Sequence, residues 1–556
     1  MATTNGDADG YVPAAHPPGT VELVSTHRAR GEEVVPMPTP SSDPNDPLRW
    51  ATWRKCLNFT LLSAMTVAIF SILSTQNVFW PEMIKDLNTD TETLSNASAV
   101  QLAGLAIGCI FFIPFAEKYG RRSAYIISTT LVTISAWWSA YMKTGTEVYL
   151  TNGLMGIAGA VNEAAIQMSI RDMFYIQQRA TANGVYFASV KAGAYLTPMA
   201  AGAQAVSTGW RSSYITLAGF MTGLTILFIV AFEETKFIAP QNDGTGISKT
   251  TSTITGFDFG LDSKQNTIDS ETETSSIQET YILSTLPPFP HYLRLQFFTK
   301  TSESLWKLFW SPFRAWWLPQ VIFVIFQSGA AVCWLVLIGI TTSIVFSKEP
   351  YNFNSAQLGY MSAGAFIGSI CGSLYGGPFV DWAIVRLARR NKGLFEPEMR
   401  LYLMPLPSLV MCIGLLVFGI TADRGMHWIF PVFGNGLFAF GFGAVADITF
   451  TMVIDCYPNV SQPVHHHPIA PNPRLTSEKL VAVIFTVIAT GRNALSMIGP
   501  FSITPWLKSS SVTNIFIIAA CINLGIHLFA IPLAIWGKKS RIAIAPRYYR
   551  LSKQCT

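Results

Sequence analysis

Apolar segments of about 20 residues, each almost free of charged side chains, recur along the whole sequence. A helix of this length crosses a bilayer, because each residue adds about 1.5 Å and the hydrocarbon core is about 30 Å thick. A long polar stretch separates two sets of six segments. They lie near residues 56–78, 94–115, 124–142, 149–170, 183–206, 212–232, 319–346, 356–380, 401–421, 427–452, 480–503 and 512–536. The sequence therefore predicts an all-α integral membrane protein with twelve transmembrane helices in two six-helix halves.

The composition and the distribution of basic residues agree with this interpretation. Hydrophobic residues make up 50% of the chain and charged residues only 13%, whereas soluble proteins have about 25% charged residues. Lys and Arg are more than three times as frequent in the loops on the N-terminal side as in the opposite loops. Cytoplasmic loops are enriched in these residues. We therefore predict a multi-pass protein of the plasma membrane with both termini in the cytoplasm.

Polar stretches divide the chain into five predicted regions. These are a disordered cytoplasmic tail without a signal-peptide core at 1–48, a six-helix bundle at 49–235, a cytoplasmic central loop at 236–315, a second six-helix bundle at 316–537 and a cytoplasmic tail at 538–556. Within the central loop, Trp306, Phe309, Trp310 and Phe313 recur at helical spacing. This pattern predicts an amphipathic helix at the membrane interface, although it would also fit the start of the seventh span.

Motifs of other function classes are absent from the sequence. It contains no G-x-S-x-G motif, no phosphate-binding glycine loop and no paired metal ligands, so neither an enzyme nor a metal site is predicted. The eight cysteines form no C-x-x-C pair, and the basic residues are spread over separate loops, which does not favour nucleic-acid binding. The predicted energy source is a proton gradient, without a cofactor. The predicted partners are a small-molecule substrate and the lipid bilayer, with the protein acting as a monomer.

A charged cluster, FAEKYGRRSAY, interrupts the apolar sequence between the second and third predicted spans, and a related stretch follows the eighth span. The residues concerned are Glu117, Lys118, Gly120, Arg121 and Arg122 in the first copy and Gly377 and Asp381 in the second. A carboxylate at a helix end can pair with guanidinium groups and with a helix N-terminus of the other half. Such contacts would exist only while the cytoplasmic side is closed, which predicts a conformational latch. Alternatively, these residues only anchor the topology.

This cluster resembles the signature G-x-x-x-D-[RK]-x-G-R-[RK] of the major facilitator superfamily. Ile113 replaces the first glycine and Glu117 the aspartate, whereas the second copy has both residues. Further stretches are similar to fungal twelve-span drug:proton antiporters, including yeast polyamine-type transporters and secondary-metabolite efflux pumps. They are DPNDPLRWATWRK, AVNEAAIQMSIRDMF, FEETKF, EPYNFNSAQLGYM and RLARRNKGLFEPEMRL. The resemblance covers nearly all of the predicted membrane region and implies a secondary transporter built from two repeated halves.

The fifth predicted span contains GAYLTPMAAG, which resembles the antiporter motif G-x-x-x-G-P-x-x-G-G of that family. Gly193, Pro198 and Gly202 match, while two other glycines are replaced. The motif implies export, although close helix packing alone would also explain small residues and a proline. In the fourth span, Asn152 occupies the position of an arginine that the family links to proton coupling.

Four ionisable residues lie inside predicted spans, namely Glu163, Lys191, Asp447 and Arg492. A charge within the hydrocarbon region is costly, so each is a candidate for function. Glu163 is flanked by Asn162 and small residues, and desolvation generally favours the protonated form of a carboxylate. Glu163 is therefore the first candidate for proton coupling. Alternatively, it is a structural partner of Lys191 or of an adjacent backbone break.

Other polar residues in the second half suggest further roles. Asp447 is a second candidate for proton coupling or cation binding. Arg492 and Asn493 could hold an anionic or hydrogen-bonding group of a substrate, or Arg492 could neutralise Asp447. Asp455 is predicted to form a salt bridge at a helix end. The candidate cavity-lining residues are Gln76, Gln327 and Trp80, although such side chains in helices also serve packing.

The segment SQPVHHHPIAPNPRLTS, residues 461–477, differs from its surroundings. The flanking sequence reads continuously if YPNV joins EKLVAVIF, and codons for Val-Ser, Leu-Thr and Ser can contain fungal splice signals. We therefore predict a retained intron, which intact transcript reads would exclude. A flexible loop and metal binding by its three consecutive histidines are the alternatives. Elsewhere, Asn96 in NAS matches the glycosylation motif and is a candidate for modification, although it lies close to the second span.

The predicted function is proton-coupled export of a small organic molecule, such as a toxin or a secondary metabolite. One alternative is an importer of polyamines or other organic cations, for which the acidic Glu163 and Asp447 would be suitable. Another is a non-transporting membrane sensor, in which the polar central loop would act as the signalling element.

Overall fold

The computed structural model is predominantly helical. It describes residues 20–22, 46–237, 294–299, 304–310, 312–391, 393–456 and 473–554. Most of the predicted N-terminal tail and central loop, and residues 461–472 of the predicted intron, lie outside these described residues. Within them, two short strands, β1 (Val21–Glu22) and β2 (Leu394–Phe395), pair in antiparallel orientation.

The helices form two groups, one before and one after the central loop. The first group comprises α1 (Thr52–Thr75), α2 (Trp80–Asp86), α3 (Thr91–Tyr119), α4 (Arg121–Tyr141), α5 (Gly145–Gly159), α6 (Val161–Met173), α7 (Ile176–Lys191), α8 (Thr197–Thr208) and α9 (Trp210–Val230). A short helix, α10 (Leu305–Trp310), lies near the end of the central loop. The second group comprises α11 (Pro319–Val345), α12 (Ser355–Tyr360), α13 (Ser362–Leu374), α14 (Val380–Arg390), α15 (Pro405–Asp423), α16 (Ile429–Cys456), α17 (Pro473–Ser496), α18 (Ile498–Ser509), α19 (Val512–Leu528) and α20 (Ala530–Gln554).

Eight helical stretches of the described chain are long and apolar enough to cross a bilayer. They are Thr52–Asp86, Thr91–Tyr119, Trp210–Val230, Pro319–Val345, Ser355–Arg390, Pro405–Asp423, Ile429–Cys456 and Val512–Ala545. The other four predicted spans also fall on helices. Three of them are interrupted, between α5 and α6, between α7 and α8, and between α17 and α18, while α4 is rich in serine and threonine. Interruptions shorten the continuous helix and hydroxyl groups lower its mean hydropathy, which explains why these four are less distinct.

Two π-helical segments lie within the membrane helices, and one of them forms the interruption between α7 and α8. A π-helical segment, Ala192–Leu196, joins α7 to α8 and is followed by Pro198. A second π-helical segment, Tyr375–Phe379, contains Pro378 and joins α13 to α14. Proline has no amide hydrogen to donate within a helix, and π turns occur frequently at functional sites. The first of these segments borders the cavity described below.

Glycines allow pairs of helices to cross at very short distance. Where α3 packs on α5, a Cβ on Gly156 would lie 2.1 Å from the carbonyl oxygen of Gln101. Where α13 packs on α16, a Cβ on Gly368 would lie 2.0 Å from the carbonyl oxygen of Gly436. Neither crossing has room for a methyl group. These helices therefore pack backbone against backbone, as small residues permit in membrane proteins.

We expect Gly368→Ala to destabilise the protein, because the added methyl group must push α13 away from α16. Overpacking of this kind costs about 1–3 kcal/mol. Gly223→Ala is the matched control, since nothing lies within 4 Å of the Cβ position of Gly223. Thermal unfolding of the purified proteins in detergent measures the difference. Equal unfolding midpoints for the two variants would contradict the described crossing.

Both described ends of the central loop are held together at the first group of helices. The backbone N–H of Glu234 donates to the carbonyl oxygen of Arg294 at 2.9 Å, and the backbone N–H of Arg294 donates to Oε2 of Glu233 at 3.1 Å. The backbone N–H of Thr299 donates to the carbonyl oxygen of Tyr119, the last residue of α3, at 2.8 Å. The central loop therefore leaves and rejoins the fold at the same place.

The aromatic segment of the central loop forms α10 and a 3₁₀ helix at 312–317. Because α11 begins only at Pro319, the segment is separate from the seventh predicted span, and the alternative interpretation is wrong. Trp306 and Trp317 are largely exposed on the surface of the chain. The ring centroid of Phe309 lies 6.0 Å from that of Phe111 on α3. One side of the segment therefore packs on the helices while tryptophans remain outside, as expected for an interfacial helix.

Candidate functional site

A cavity of about 370 Å³ lies between the two groups of helices. Its walls come from α1, α3, α6, α7 and α8 of the first group and from α11, α12, α13, α16 and α17 of the second. The aromatic residues that line it are Phe70, Tyr186, Phe187, Tyr195, Phe442, Phe450 and Phe485. All four ionisable residues that the sequence places inside spans also line it: Glu163, Lys191, Asp447 and Arg492. The structure thus brings these four candidates together in one cavity.

Glu163 lies in the first turn of α6 and is held by two donors from α17. Its Oε1 lies 2.5 Å from Nη2 of Arg492, and its Oε2 accepts a hydrogen bond from Nδ2 of Asn493 at 2.6 Å. The side chain of Glu163 is 8% exposed and that of Arg492 20%. This ion pair corrects two predicted alternatives. Glu163 pairs with Arg492 rather than with Lys191, and Arg492 pairs with Glu163 rather than with Asp447.

Lys191 and Asp447 bring a second pair of opposite charges into the cavity. Nζ of Lys191 donates to the hydroxyl group of Ser373 and, at 3.2 Å, to the carbonyl oxygen of Ser369, both on α13. Asp447 on α16 lies near enough to interact with the charge of Lys191 and with the hydroxyl group of Ser373. In this pair the cation, Lys191, belongs to the first group of helices and the anion, Asp447, to the second. In the pair of Glu163 and Arg492 the anion belongs to the first group and the cation to the second.

The remaining candidate lining residues divide into two kinds. Gln76 and Asn493 line the cavity. Gln327 is buried away from it, and its Oε1 accepts a hydrogen bond from Oγ1 of Thr449 at 3.2 Å. Trp80 is buried in a hydrophobic cluster. The prediction that Gln327 and Trp80 line the cavity is therefore corrected, because both serve helix packing.

The residues of the antiporter-like motif lie at two helix crossings. A Cβ on Gly193 would be 2.5 Å from the carbonyl oxygen of Val67 on α1. A Cβ on Gly202 would be 2.4 Å from the carbonyl oxygen of Ser355 on α12. Pro198 lines the cavity between these crossings. Close helix packing is thus sufficient to account for both glycines.

Side chains join the two groups of helices at the end of the cavity near Asn77. The hydroxyl group of Ser343 on α11 donates to the carbonyl oxygen of Asn77. The hydroxyl group of Ser355 on α12 donates to Oε1 of Glu82 on α2 at 2.6 Å. Together with the crossing at Gly202, these contacts hold this end of the cavity together.

The charged loop between α3 and α4 is held by Glu234, which is fully buried after α9. The carboxylate of Glu234 accepts the backbone N–H groups of Arg121 at 3.0 Å and Arg122 at 3.2 Å, at the N-terminus of α4. Gly120 has a φ of +109°, and a Cβ there would lie 2.2 Å from Oε2 of Glu234, so the turn requires glycine. Nε of Arg121 lies 3.2 Å from Oδ2 of Asp172. Glu234 was not among the predicted site residues, although it lies in the FEETKF stretch of the family resemblance.

Lys236 holds the C-terminus of α3 beside this loop. Its Nζ donates to the carbonyl oxygens of Glu117 at 2.8 Å, Lys118 at 3.0 Å and Thr299 at 2.9 Å. These three acceptors match the three donors of an ammonium group. Burial and then the nearby charge of Arg121 lower the pKa of Lys236 to about 8. Glu117 and Lys118 of the predicted latch thus lie at the end of α3, where their carbonyl oxygens bind the ammonium group of Lys236 from the same group of helices.

The second copy of the charged loop has its own network. Oδ1 of Asp381 lies 3.0 Å from Nη1 of Arg400, whose Nε lies 2.6 Å from Oδ2 of Asp455 near the end of α16. The helix-end salt bridge predicted for Asp455 is therefore confirmed. The Cβ position of Gly377 has nothing within 4 Å, so no close contact requires a glycine there. The contacts of Asp381, like the named contacts of Arg121 and Arg122, stay within one group of helices.

Comparison with known proteins shows to which family this architecture belongs. The family model of the Major Facilitator Superfamily matches residues 61–464. The chain belongs to the major facilitator superfamily. An uncharacterized MFS-type transporter of Schizosaccharomyces pombe is 28% identical over 98% of this chain and 95% of its own length. Protein HOL1 of Saccharomyces cerevisiae is 26% identical over 97% of each chain. The MFS antiporter QDR3 of Candida albicans is 21% identical over 68% of this chain and 65% of its own length.

This transporter of the major facilitator superfamily is an integral, multi-pass membrane protein with two departures from common family motifs. Ile113, which replaces the first glycine of the charged-loop signature, is buried in the core of the first group of helices. Asn152 on α5 is buried, and its Nδ2 donates to the carbonyl oxygen of Val148 at 2.8 Å. Asn152 is not among the described residues that line the cavity. Asn96 lies within α3, where its glycosylation stays a prediction.

Proposed function

We propose that this chain is a proton-coupled transporter that exports a small organic molecule from the cytoplasm across the plasma membrane. The observation that carries the proposal is the ion pair between Glu163 and Arg492. It crosses the cavity from α6 to α17. The charge of one carboxylate therefore acts directly on the contact between the two groups of helices.

Protonation of Glu163 would weaken this contact. A neutral carboxyl group can keep a hydrogen bond, but it loses the attraction to the guanidinium group of Arg492. Removing one partner of a buried ion pair costs about 3–5 kcal/mol. A change of this size moves a two-state equilibrium by about a hundredfold or more. Proton binding would thus change the populations of the inward-facing and outward-facing states, which is the basis of coupling.

The proposed architecture has twelve spans in two six-helix halves, with both termini cytoplasmic. The four less distinct helical segments complete the eight continuous spans, with six before the central loop and six after it. Glu163 and Asp447 then occupy the fourth and tenth spans, and Lys191 and Arg492 the fifth and eleventh. Corresponding spans of the two halves carry the same sign of charge. This supports an origin of the halves as structural repeats.

We propose that the two charged loops bias the same equilibrium from the cytoplasmic side. Arg121 pairs with Asp172 in the first half, and Asp381 pairs with Arg400 in the second. Exchange of these partners for groups of the opposite half would stabilise a state closed to the cytoplasm. The loops would then act as a latch, because their contacts differ between the two states.

Export is supported by the contacts near Asn77, at the end of the cavity that is predicted to face outward. A cavity held together at that end would accept its substrate from the cytoplasm. The name of the relative QDR3, an MFS antiporter, also favours exchange against another solute.

Accumulation assays in a transporter-depleted yeast test this proposal. Cells with the transporter or an empty vector receive a panel of toxins, fungal metabolites and polyamines, with and without a protonophore. We expect lower accumulation of at least one compound in transporter cells, and we expect the protonophore to remove the difference. Higher polyamine accumulation in transporter cells would instead indicate import. Lower accumulation that persists with the protonophore would contradict proton coupling.

A further inference from the structure

Lys191 occupies a position in the cavity that is suited to binding an ammonium group. Its Nζ donates to the carbonyl oxygen of Ser369 at 3.2 Å and to the hydroxyl group of Ser373. The carboxylate of Asp447 lies near enough for its charge to act on Lys191 and for its oxygens to reach the hydroxyl group of Ser373. A carbonyl, a hydroxyl group and a carboxylate can all accept hydrogen bonds, whereas an ammonium group has three donors and no acceptor. The three groups therefore match the chemistry of an alkylammonium ion.

The cation in this position is attached by a flexible side chain from the opposite side of the cavity. Lys191 is the last residue of α7, immediately before the π-helical segment, whereas its acceptors lie on α13 and α16. The lysine stem has four carbons and rotates freely, so Nζ can leave without movement of the backbone. Lys191, Asp447 and Ser369 all line the cavity. A molecule inside the cavity can therefore reach Ser369 and Asp447.

We propose that Asp447, Ser369 and Ser373 form a subsite for the alkylammonium group of the substrate. Lys191 is an internal competitor that occupies this subsite while the cavity is empty. This inference rests on the proposed function, because it takes the cavity as the place of the transported molecule. Aromatic walls beside the subsite, such as Tyr195, would contact the apolar part of such a molecule. The substrate class is thus an amine with an apolar or aromatic body.

The other carboxylate of the cavity is less suited to this role. Both oxygens of Glu163 already accept strong donors, one from Arg492 and one from Asn493. An external amine would have to displace a guanidinium and an amide at once. Near Asp447 an amine would have to displace only the ammonium of Lys191 from Ser369 and Ser373, and that ammonium has the same donors as the amine. Displacement also removes the hydrogen bonds from Lys191 on α7 to α13, so substrate binding loosens one contact between the two groups of helices.

Ligand binding to the purified full-length protein tests the proposal. The probe is 2-phenylethylamine, which is protonated at pH 7, and the control ligand is 2-phenylethanol, which has a similar shape and no charge. The unfolding temperature is recorded against ligand concentration. In Lys191→Met, which keeps the apolar stem and removes the competitor, the half-saturating amine concentration should fall by about tenfold or more, because hydrogen bonds to a charged group are each worth about that factor. Lys191→Arg, which keeps a cation, should show no such fall.

Asp447→Asn provides the second arm of the experiment. Added to Lys191→Met, it should remove the preference for the amine over the alcohol. As a single substitution it should weaken amine binding and leave alcohol binding unchanged, which keeps the test valid if Lys191→Met does not fold. Equal responses to amine and alcohol in Lys191→Met, or an amine preference that survives Asp447→Asn, would overturn the proposal. The assay contains no proton gradient and no flux, so its failure would leave proton coupling through Glu163 standing.

Discussion

Glu163→Gln is expected to abolish proton-driven transport while substrate exchange continues. Glutamine has nearly the shape of a protonated glutamate but cannot release a proton. The assay uses proteoliposomes and a compound identified by the accumulation panel. An imposed proton gradient should drive flux through the wild type at least about tenfold faster than through the variant, given the energy of the broken ion pair. Exchange of labelled for unlabelled compound without a gradient needs no proton and should persist.

Glu147→Gln is the matched control for this experiment. Glu147 lies on α5 of the same group of helices, and its Oε1 accepts a hydrogen bond from the hydroxyl group of Thr144 at the helix N-terminus. It makes no contact with the cavity among the described lining residues. Its variant should therefore transport like the wild type. Equal proton-driven flux in Glu163→Gln and Glu147→Gln would remove Glu163 from the mechanism.

The second large effect is expected for Glu234→Ala, at the base of the charged loop. The carboxylate of Glu234 accepts the backbone N–H groups of Arg121, Arg122 and Lys236. Its removal leaves these donors without their acceptor in a buried place, where each costs about 1–3 kcal/mol. We expect a loss of about 3–5 kcal/mol in the free energy of unfolding, which is exceptional for one substitution. The unfolding midpoint in detergent should fall by several degrees.

Glu92→Ala separates this effect from the general loss of a glutamate. Glu92 lies in the first turn of α3 and pairs with Lys508 at 2.8 Å, with both side chains substantially exposed. Exposed ion pairs contribute about 0–1 kcal/mol. The midpoint of Glu92→Ala should therefore stay close to that of the wild type. If Glu234→Ala unfolds at the same temperature as Glu92→Ala, the carboxylate does not hold the loop.

The charged residues of the cavity could be found from the sequence, but their partners could not. Glu163, Lys191, Asp447 and Arg492 are conspicuous because charges within apolar segments are rare. The pairing of Glu163 with Arg492 depends on how α6 and α17 face each other across most of the chain. Helical spacing places a residue on one face of its helix and does not say which helix packs there. The alternative in which Glu163 pairs with Lys191 is wrong for this reason.

The contacts of Gln327 and Glu234 could not be predicted from the sequence either, for two different reasons. Gln327 lies on α11, which is apolar on all sides, so no polar face indicates the direction of the amide; it packs against Thr449. Glu234 lies in a segment without regular secondary structure after α9, where no helical period applies. Its function depends on the N-terminus of α4, which is distant in the sequence. Hydropathy could identify the continuous spans, because that property is local to each segment.

The most direct test of the central claim is the release of protons upon substrate binding. The compound identified by the accumulation panel is added to purified protein in weakly buffered detergent solution, and the pH is recorded. If the substrate binds the state that holds the Glu163–Arg492 ion pair, an experiment begun at a pH low enough to protonate Glu163 should release on the order of one proton per molecule of wild type, because coupling is reciprocal. Glu163→Gln should bind the compound and release almost none. Equal proton release from the wild type and Glu163→Gln would contradict the account.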